Sequence, residues 1–210
     1  MFNGKVSLYW LNENSNVGVR QNAALDELLE TFKGKHLTTL EIGSPYGGAV
    51  EFAARKMGKR GTAYGYDTYE GHPKDLADDP TSMEAICMDH WYSEDVIGTY
   101  GLSYEYQTKA LARLELPNAK LVKGRINKNT FDDIKKIHFA MIDLDLIKPT
   151  IVAYEAIKNK IVKGGYLFMH DSVGTNLPFI TDFVTKEVIP SGLWEAERLE
   201  DGDLTILKKK

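Results

Sequence analysis

The sequence predicts an α/β protein: a mostly parallel, seven-stranded sheet covered by helices and closed by a C-terminal antiparallel hairpin. Three observations carry this prediction. Short apolar runs alternate with helix-forming stretches along most of the chain, which is the pattern of a parallel sheet with helices on both faces. Leu37 to Gly43 ends in glycine and is followed at once by a stretch of good helix formers, giving strand, turn and helix. Near the end, Trp194 to Leu199 and Leu204 to Leu207 flank Asp201-Gly202, a two-strand turn signal.

The elements follow in order. Ala24, Leu25, Leu28, Leu29 and Phe32 recur at helical spacing, so a helix is expected over Ala23 to Phe32, stopped by Gly34. The strand Leu37 to Gly43 leads into a helix over Ala49 to Met57. Further strands are expected at Thr62 to Tyr66, Lys120 to Lys123, Ile137 to Ile142 and Tyr166 to Met169. Between the last two, Ile151, Tyr154, Ile157 and Ile161 form one stripe, which predicts a helix over Thr150 to Ile161 closed by Gly164-Gly165.

At 210 residues and 43% hydrophobic, the chain suits one domain with a single core, residues 1–210. An N-terminal arm, 1–20, holds Tyr9, Trp10 and Leu11 without an obvious core element, compatible with homodimer contacts or a cap over a bound cofactor. Residues 70–100 break the strand-helix rhythm with Pro73, Pro80 and the cluster His90-Trp91-Tyr92; an insertion just past a strand end is placed to form a lid or acceptor wall, or an ordinary surface excursion. His72, His90, Trp91 and Tyr92 are candidates to line an acceptor pocket or to pack on a helix.

A net charge of −4 argues against nucleic acid as the main partner, because such binding requires a basic face. The run Lys208-Lys209-Lys210 reads as a solvated tail. The single cysteine, Cys87, excludes an internal disulfide and a multi-cysteine metal site. No segment approaches the ~20 apolar residues that cross a bilayer, and the N-terminus lacks a signal-peptide run. The expectation is a cytoplasmic protein, with no membrane partner, that acts on a small molecule.

In Glu41-Ile42-Gly43-Ser44-Pro45-Tyr46-Gly47, two glycines four apart follow a strand and open a helix, which lets backbone approach a ligand closely. Pro45 stands where a dinucleotide fingerprint needs its second glycine, and no Gly-Lys-Ser/Thr makes a phosphate loop. Asp67, 24 residues beyond Gly43, ends the second strand, where a carboxylate accepts ribose hydroxyls; such aspartates also serve as loop caps. A ribose without a pyrophosphate cradle is what S-adenosyl-L-methionine offers.

Leu40 to Gly47 resembles the first motif of class I methyltransferases. Tyr66-Asp67-Thr68-Tyr69-Glu70-Gly71-His72-Pro73 is similar to the Asp-Ser-Phe-Glu-Gly-x-Pro signature of macrocin-type sugar O-methyltransferases. Leu121-Val122-Lys123-Gly124-Arg125 and Ile142-Asp143-Leu144-Asp145-Leu146 continue the likeness in order, through Gly164-Gly165-Tyr166 to His170-Asp171, over roughly residues 37 to 173. The resemblance implies the Rossmann-like class I methyltransferase fold and an O-methyltransferase, with adenosylmethionine held by Glu41, Gly43, Ser44, Tyr46, Gly47, Asp67, Thr68, Arg125 and Asp143.

Asp143 and Asp145 follow the most apolar strand, on one side with Leu144 opposite, and repelling carboxylates invite a cation. With His170 and Asp171 at the next strand end, oxygen and nitrogen donors converge as Mg²⁺ requires, or Mn²⁺ if His170 joins, so Asp143, His170 and Asp171 are the candidate metal ligands. The resemblance implies the same metal, but the family pair is Asp-Asp or Asp-Asn, and here it is His170-Asp171 or Asp171-Ser172. The positions that carry a lysine or tyrosine in related enzymes are Leu146 and Ile147, which do no proton chemistry, and Lys148, nearby but two positions later, is a weak substitute. Asp143 and His170 are the candidate catalytic residues, His170 as general base or, structurally, as a ring bonded to backbone. His138 is expected inside a strand and His36 on the surface before one. Two other functions fit the same residues: a non-haem iron hydroxylase-like protein on this fold, reading His170, Asp143 and Asp171 as its iron site, and an inactive nucleoside-binding module.

Overall fold

The computed structural model describes residues 16–44, 47–69, 105, 108–109, 112, 115–174, 177–200 and 203–210. They form α1 (Asn16–Thr31), β1 (Leu37–Ile42), α2 (Gly48–Met57), β2 (Gly61–Asp67), β3 (Ala119–Lys123), β4 (Ile137–Ile142), α3 (Ile147–Ile157), β5 (Ile161–Met169), α4 (Pro178–Phe183), β6 (Trp194–Leu199) and β7 (Leu204–Lys209). The strands make one sheet in the order β3-β2-β1-β4-β5-β7-β6. Pairings from β3 to β5 are parallel, and β7 runs antiparallel to both of its neighbours, as the hairpin signal predicts.

Strand β4 explains the layering. All six of its residues are buried, as a central strand covered on both faces requires. Ala140 and Ile142 join Leu167 and Met169 of β5 in a core under α3 and α4, with Ala153, Tyr154, Ile157, Ile180 and Phe183. Phe139 and Met141 point the other way with Phe168, into a core under α1 and α2 built on Leu25, Leu28, Val50, Ala53, Ala54 and Met57. Each large apolar side chain so buried stabilises the fold by about 1.5–3 kcal/mol. On the outer edge, β6 exposes Glu195, Glu197 and Arg198, charges that discourage pairing with another chain.

Three expectations are corrected. The helix predicted over Thr150 to Ile161 is α3, Ile147–Ile157, and Ile161 instead begins β5, five residues before the predicted Tyr166. Gly164-Gly165 therefore lie inside a strand rather than closing a helix. The cause is an irregular ladder: Ile137 pairs with Ile161 and Phe139 with Tyr166, so two steps on β4 meet five on β5, and Gly164 takes up the excess at φ +77. The lysine run is no tail, because Lys208 and Lys209 belong to β7; Lys208 pairs with Glu27 at 2.5 Å and Lys209 donates to the Lys158 carbonyl at 3.0 Å. Helix α1 also starts earlier than predicted, taking in residues 16–20 of the expected arm. The 70–100 insertion, with His72, Cys87, His90, Trp91 and Tyr92, and the first 15 residues, with Tyr9, Trp10 and Leu11, lie outside the described residues. Among the described residues no helix is long and apolar enough to cross a membrane.

Gly43 controls how closely the centre of the sheet closes. Its φ is +86, and a Cβ there would sit 1.7 Å from the Asp143 carbonyl oxygen. Gly34 also has positive φ, +75, but a Cβ there meets nothing within 4 Å. Gly43→Ala is expected to cost about 4 kcal/mol or more, and Gly34→Ala only the left-handed strain of about 1–2 kcal/mol. Denaturant titrations of both variants check this; equal losses would contradict the close approach.

Candidate active site at the carboxyl ends of the central strands

The chain leaves β1 towards β2 on one side, while β4 leads to β5 on the other, so the connections diverge and open a crevice above the β1–β4 seam. Backbone bonds hold the strand ends level there. Gly43 N–H donates to the Tyr66 carbonyl at 2.9 Å, Asp143 N–H to Ile42 at 2.8 Å, and His170 N–H to Ile142 at 3.1 Å. Residues just past β1, β4 and β5 are thereby held level with the end of β2.

Ser44 ties the first half together. Its N–H donates to Asp67 Oδ2 at 2.9 Å, and its hydroxyl donates to Glu41 Oε2 at 2.8 Å. Asp67 Oδ1 accepts the Tyr69 N–H at 2.7 Å and the Thr68 hydroxyl at 3.4 Å. Asp67 is thus a loop cap and also a carboxylate fixed over the glycine turn; the two readings of this residue are compatible. Gly47, at φ +68, caps α2, and its carbonyl accepts the Glu51 N–H at 3.0 Å. Arg125 lies exposed beyond β3, while Pro45 and Tyr46 fall outside the described residues.

Glu41 is buried on β1. Burial pushes its carboxyl up to about 8; the Ser44 hydroxyl opposes the rise, Asp143 and Asp67 add to it, and a backbone N–H bond from Val50 opposes it.

Asp143, His170 and Asp171 form the second half. One donor atom from each lies within 4.8 Å of the others. His170 Nδ1 is 3.1 Å from Asp143 Oδ1 and 3.2 Å from Asp171 Oδ1, yet this buried nitrogen makes no well-directed hydrogen bond to either. Burial alone would favour the neutral ring, but the two carboxylates outweigh it, and His170 is held as a cation well above the usual histidine range. An imidazolium has no lone pair with which to take a proton. Asp171 is shifted upward by its own burial, against the pull of His170 and with the push of Asp143 and Asp145.

The backbone here is unusual. Asp171 has φ +52 and Asp145 has φ +59, a region that aspartate tolerates better than most side chains. Because β4 ends at Ile142, strand alternation does not reach Asp145, and the cluster comprises Asp143, His170 and Asp171 without it. Leu146 and Ile147 are core residues and Lys148 is exposed.

Ser172, Thr205 and Arg198 support the cluster, and none stood out in the sequence. The fully buried Ser172 hydroxyl lies 2.6 Å from the Met169 carbonyl and 2.7 Å from Thr205 Oγ1; its N–H donates to the Asp203 carbonyl at 2.9 Å. Arg198 donates to the Ser172 carbonyl at 3.2 Å. Ser172 is therefore spent on anchoring the turn to β7, and the pair at this strand end is His170-Asp171. His138 and His36 stand apart from the site. His138 Nδ1 accepts the Thr38 N–H at 3.1 Å, inside the sheet, and exposed His36 lies 3.0 Å from the Thr62 hydroxyl.

No protein-family model matches the sequence, and no curated protein matches it. Solved structures do match. The chain is similar to the calicheamicin methyltransferase CalS11, with a TM-score of 0.66 and 18% identity over 92% of this chain and 80% of that one. It is similar to the O-methyltransferase NovP, with a TM-score of 0.71 and 17% identity over 91% and 78% of the two chains. A Staphylococcus aureus protein described as a caffeoyl-CoA O-methyltransferase follows, at 0.59 and 15% over 95% of each chain. At such identities the likeness defines the fold: this is a Rossmann-like methyltransferase fold.

The raised Glu41 has a measurable consequence. Its folded pKa of about 8 lies above its ordinary 4.5, so the folded protein keeps a proton that the unfolded chain releases. Stability therefore falls as pH rises through that window and is level above it. Glu41→Gln is expected to gain on the parent protein by up to about 1.4 kcal/mol per pH unit within the window. Unfolding titrations at successive pH values decide; parallel profiles for the two proteins would reject the buried protonated carboxyl.

Proposed function

We propose that this chain is an S-adenosylmethionine-dependent O-methyltransferase of the macrocin type, acting on a sugar or other small hydroxylated acceptor with a divalent cation at Asp143, His170 and Asp171. One observation supports the reading: the Glu41–Ser44–Asp67 linkage and the Asp143–His170–Asp171 cluster stand at the carboxyl ends of strands on opposite sides of the β1–β4 seam, where open α/β sheets bind ligands. The first half suits a nucleoside without a pyrophosphate, and the second suits an acceptor hydroxyl. The likeness to CalS11, which is described as a TDP-rhamnose 3′-O-methyltransferase, supports a sugar acceptor.

Adenosylmethionine supplies a sulfonium methyl group for in-line displacement, so the protein's task is alignment and removal of one proton. Asp67 would accept the ribose hydroxyls from its fixed position, and the backbone at Gly43 and Gly47 would allow close approach. The donor set fits a cation: two carboxylates and an imidazole nitrogen converge, and that nitrogen is buried without a hydrogen bond. A divalent ion held there would neutralise both aspartates and acidify a nearby hydroxyl. Until a cation replaces its proton, His170 balances Asp143 and Asp171 and is no base. One histidine with two carboxylates is the inverse of the usual two-histidine, one-carboxylate iron oxygenase set, which counts against the hydroxylase reading.

Calorimetric titration with adenosylhomocysteine tests the first half. Binding is expected, and Asp67→Ala should weaken it about 10- to 100-fold, the value of hydrogen bonds to a charged group; absence of heat with the parent protein would remove the proposal. For the second half, methyl transfer onto a sugar and phenol panel should fall on chelation and return with Mg²⁺ or Mn²⁺. His170→Ala, which removes one of the three cation ligands, should lower transfer by at least about tenfold. Intact adenosylhomocysteine binding without transfer to any acceptor would leave a nucleoside-binding module.

A further inference from the structure

A second concavity lies at the opposite end of the sheet. A cavity of about 470 Å³ opens beside the amino ends of β1 and β2, lined by Lys33, Gly34, Lys35, His36, Lys59 and Arg60. Among the described residues no carboxylate lines it. The whole chain has 26 Lys and Arg against 30 Asp and Glu, so an unselected patch of this size would be mixed in sign.

Two turns build the cavity. Past α1, Gly34 adopts φ +75 and Lys35 N–H donates to the Phe32 carbonyl at 2.9 Å, turning Lys33, Lys35 and His36 to it. Past α2, the tight turn Gly58–Arg60 brings in Lys59 and Arg60. Two of the five basic groups are tethered: the half-buried Arg60 donates to the Leu29 carbonyl at 2.6 Å, and His36 Nε2 lies 3.0 Å from the Thr62 hydroxyl. Among the described residues, no carboxylate reaches ion-pair distance of Lys33, Lys35, Lys59 or Arg60. Lysines nearby are treated differently, since Lys56 on α2 pairs with Asp26 at 2.6 Å. Glu30, in the last turn of α1, does not line the cavity.

Helix ends explain part of this charge. Each helix C-terminus carries about half a negative charge, which one nearby cation balances. Here two helix ends meet four permanent cations and a histidine, so a positive excess remains.

We propose that this cavity binds a small anion carrying two or more phosphoryl groups, an inorganic polyphosphate or a nucleoside di- or triphosphate. Its size falls within the range of about 300–1,000 Å³ usual for small-molecule sites. Lysine and arginine give phosphoryl oxygens charge-assisted hydrogen bonds, and one monovalent anion would leave most of the positive charge unmatched. A nucleic acid fits less well, because its binding calls for an extended basic face and the chain carries a net charge of −4. With β1 and β2 six and seven residues long, the site lies about 20 Å from the Asp67 end of the sheet, so it is separate from the crevice.

Isothermal titration of pyrophosphate and tripolyphosphate into the full chain tests this. Saturable binding is expected with Kd below about 1 mM, weaker when salt rises from ~50 to ~200 mM, and tighter for tripolyphosphate than for orthophosphate. Lys35→Glu and Lys59→Glu should each weaken it at least about tenfold while the midpoint of thermal unfolding stays put. Should a reversal lower that midpoint, Lys35→Gln and Lys59→Gln make the same comparison. No saturation by either polyphosphate, or unchanged affinity in folded variants of both positions, would overturn the proposal. So would an RNA oligonucleotide that binds more tightly than tripolyphosphate and loses its binding with the same substitutions.

Discussion

The close approach of β1 to β4 is the constraint on which the rest of this structure depends. Ile42 accepts the Asp143 N–H, and the Asp143 carbonyl occupies the space that a side chain at position 43 would need. Because these two strands are neighbours in the sheet but far apart in sequence, their connections run off in opposite directions and leave the crevice. The seam also sets the distance between the crevice's two halves. Gly43 is thus required by the sheet itself, before any ligand is considered.

Around that seam the protein concentrates acid. Glu41, Asp67, Asp143 and Asp171 all stand at the ends of three adjacent parallel strands and β5's neighbour turn, with His170 as the cation within the cluster. Buried like charges are tolerated only when a proton, a hydrogen bond or a counter-ion relieves them. Glu41 is relieved by its proton and Ser44, Asp67 by backbone N–H groups, and the Asp143–Asp171 pair by the imidazolium. The first two arrangements are complete within the chain. The third leaves a buried nitrogen without a directed bond, which is why the cation-binding reading attaches there.

Charge is distributed unevenly between the two ends of the sheet. The carboxyl ends carry the acids, and the amino ends of β1 and β2 carry Lys33, Lys35, Lys59 and Arg60. In a parallel sheet the helices that follow the strands return to the amino end, so helix C-termini gather there and favour basic residues. The cavity uses that tendency and exceeds it.

The succession of strands and helices along the chain could be anticipated because burial of a central parallel strand demands a continuous apolar run, as in Ile137 to Ile142, and a turn to a helix demands glycine, as at Gly43 and Gly47. The sequence by itself also singled out Asp67, Asp143, His170 and Asp171, since polar residues at the ends of apolar strands stand out locally, and the motif resemblance added Glu41. It misread Ile161, which falls in phase with the stripe of α3 but starts β5, because periodicity over one turn does not distinguish helix from strand. Only the tertiary structure decided that Ser172 anchors a turn to Thr205, that Ser44 joins Glu41 to Asp67, that two carboxylates hold His170 charged, and that Lys33 to His36 meets Lys59 and Arg60. Each of these depends on contacts between segments distant in the chain, and on burial that raises or lowers the cost of a charge, neither of which a local pattern of residues encodes.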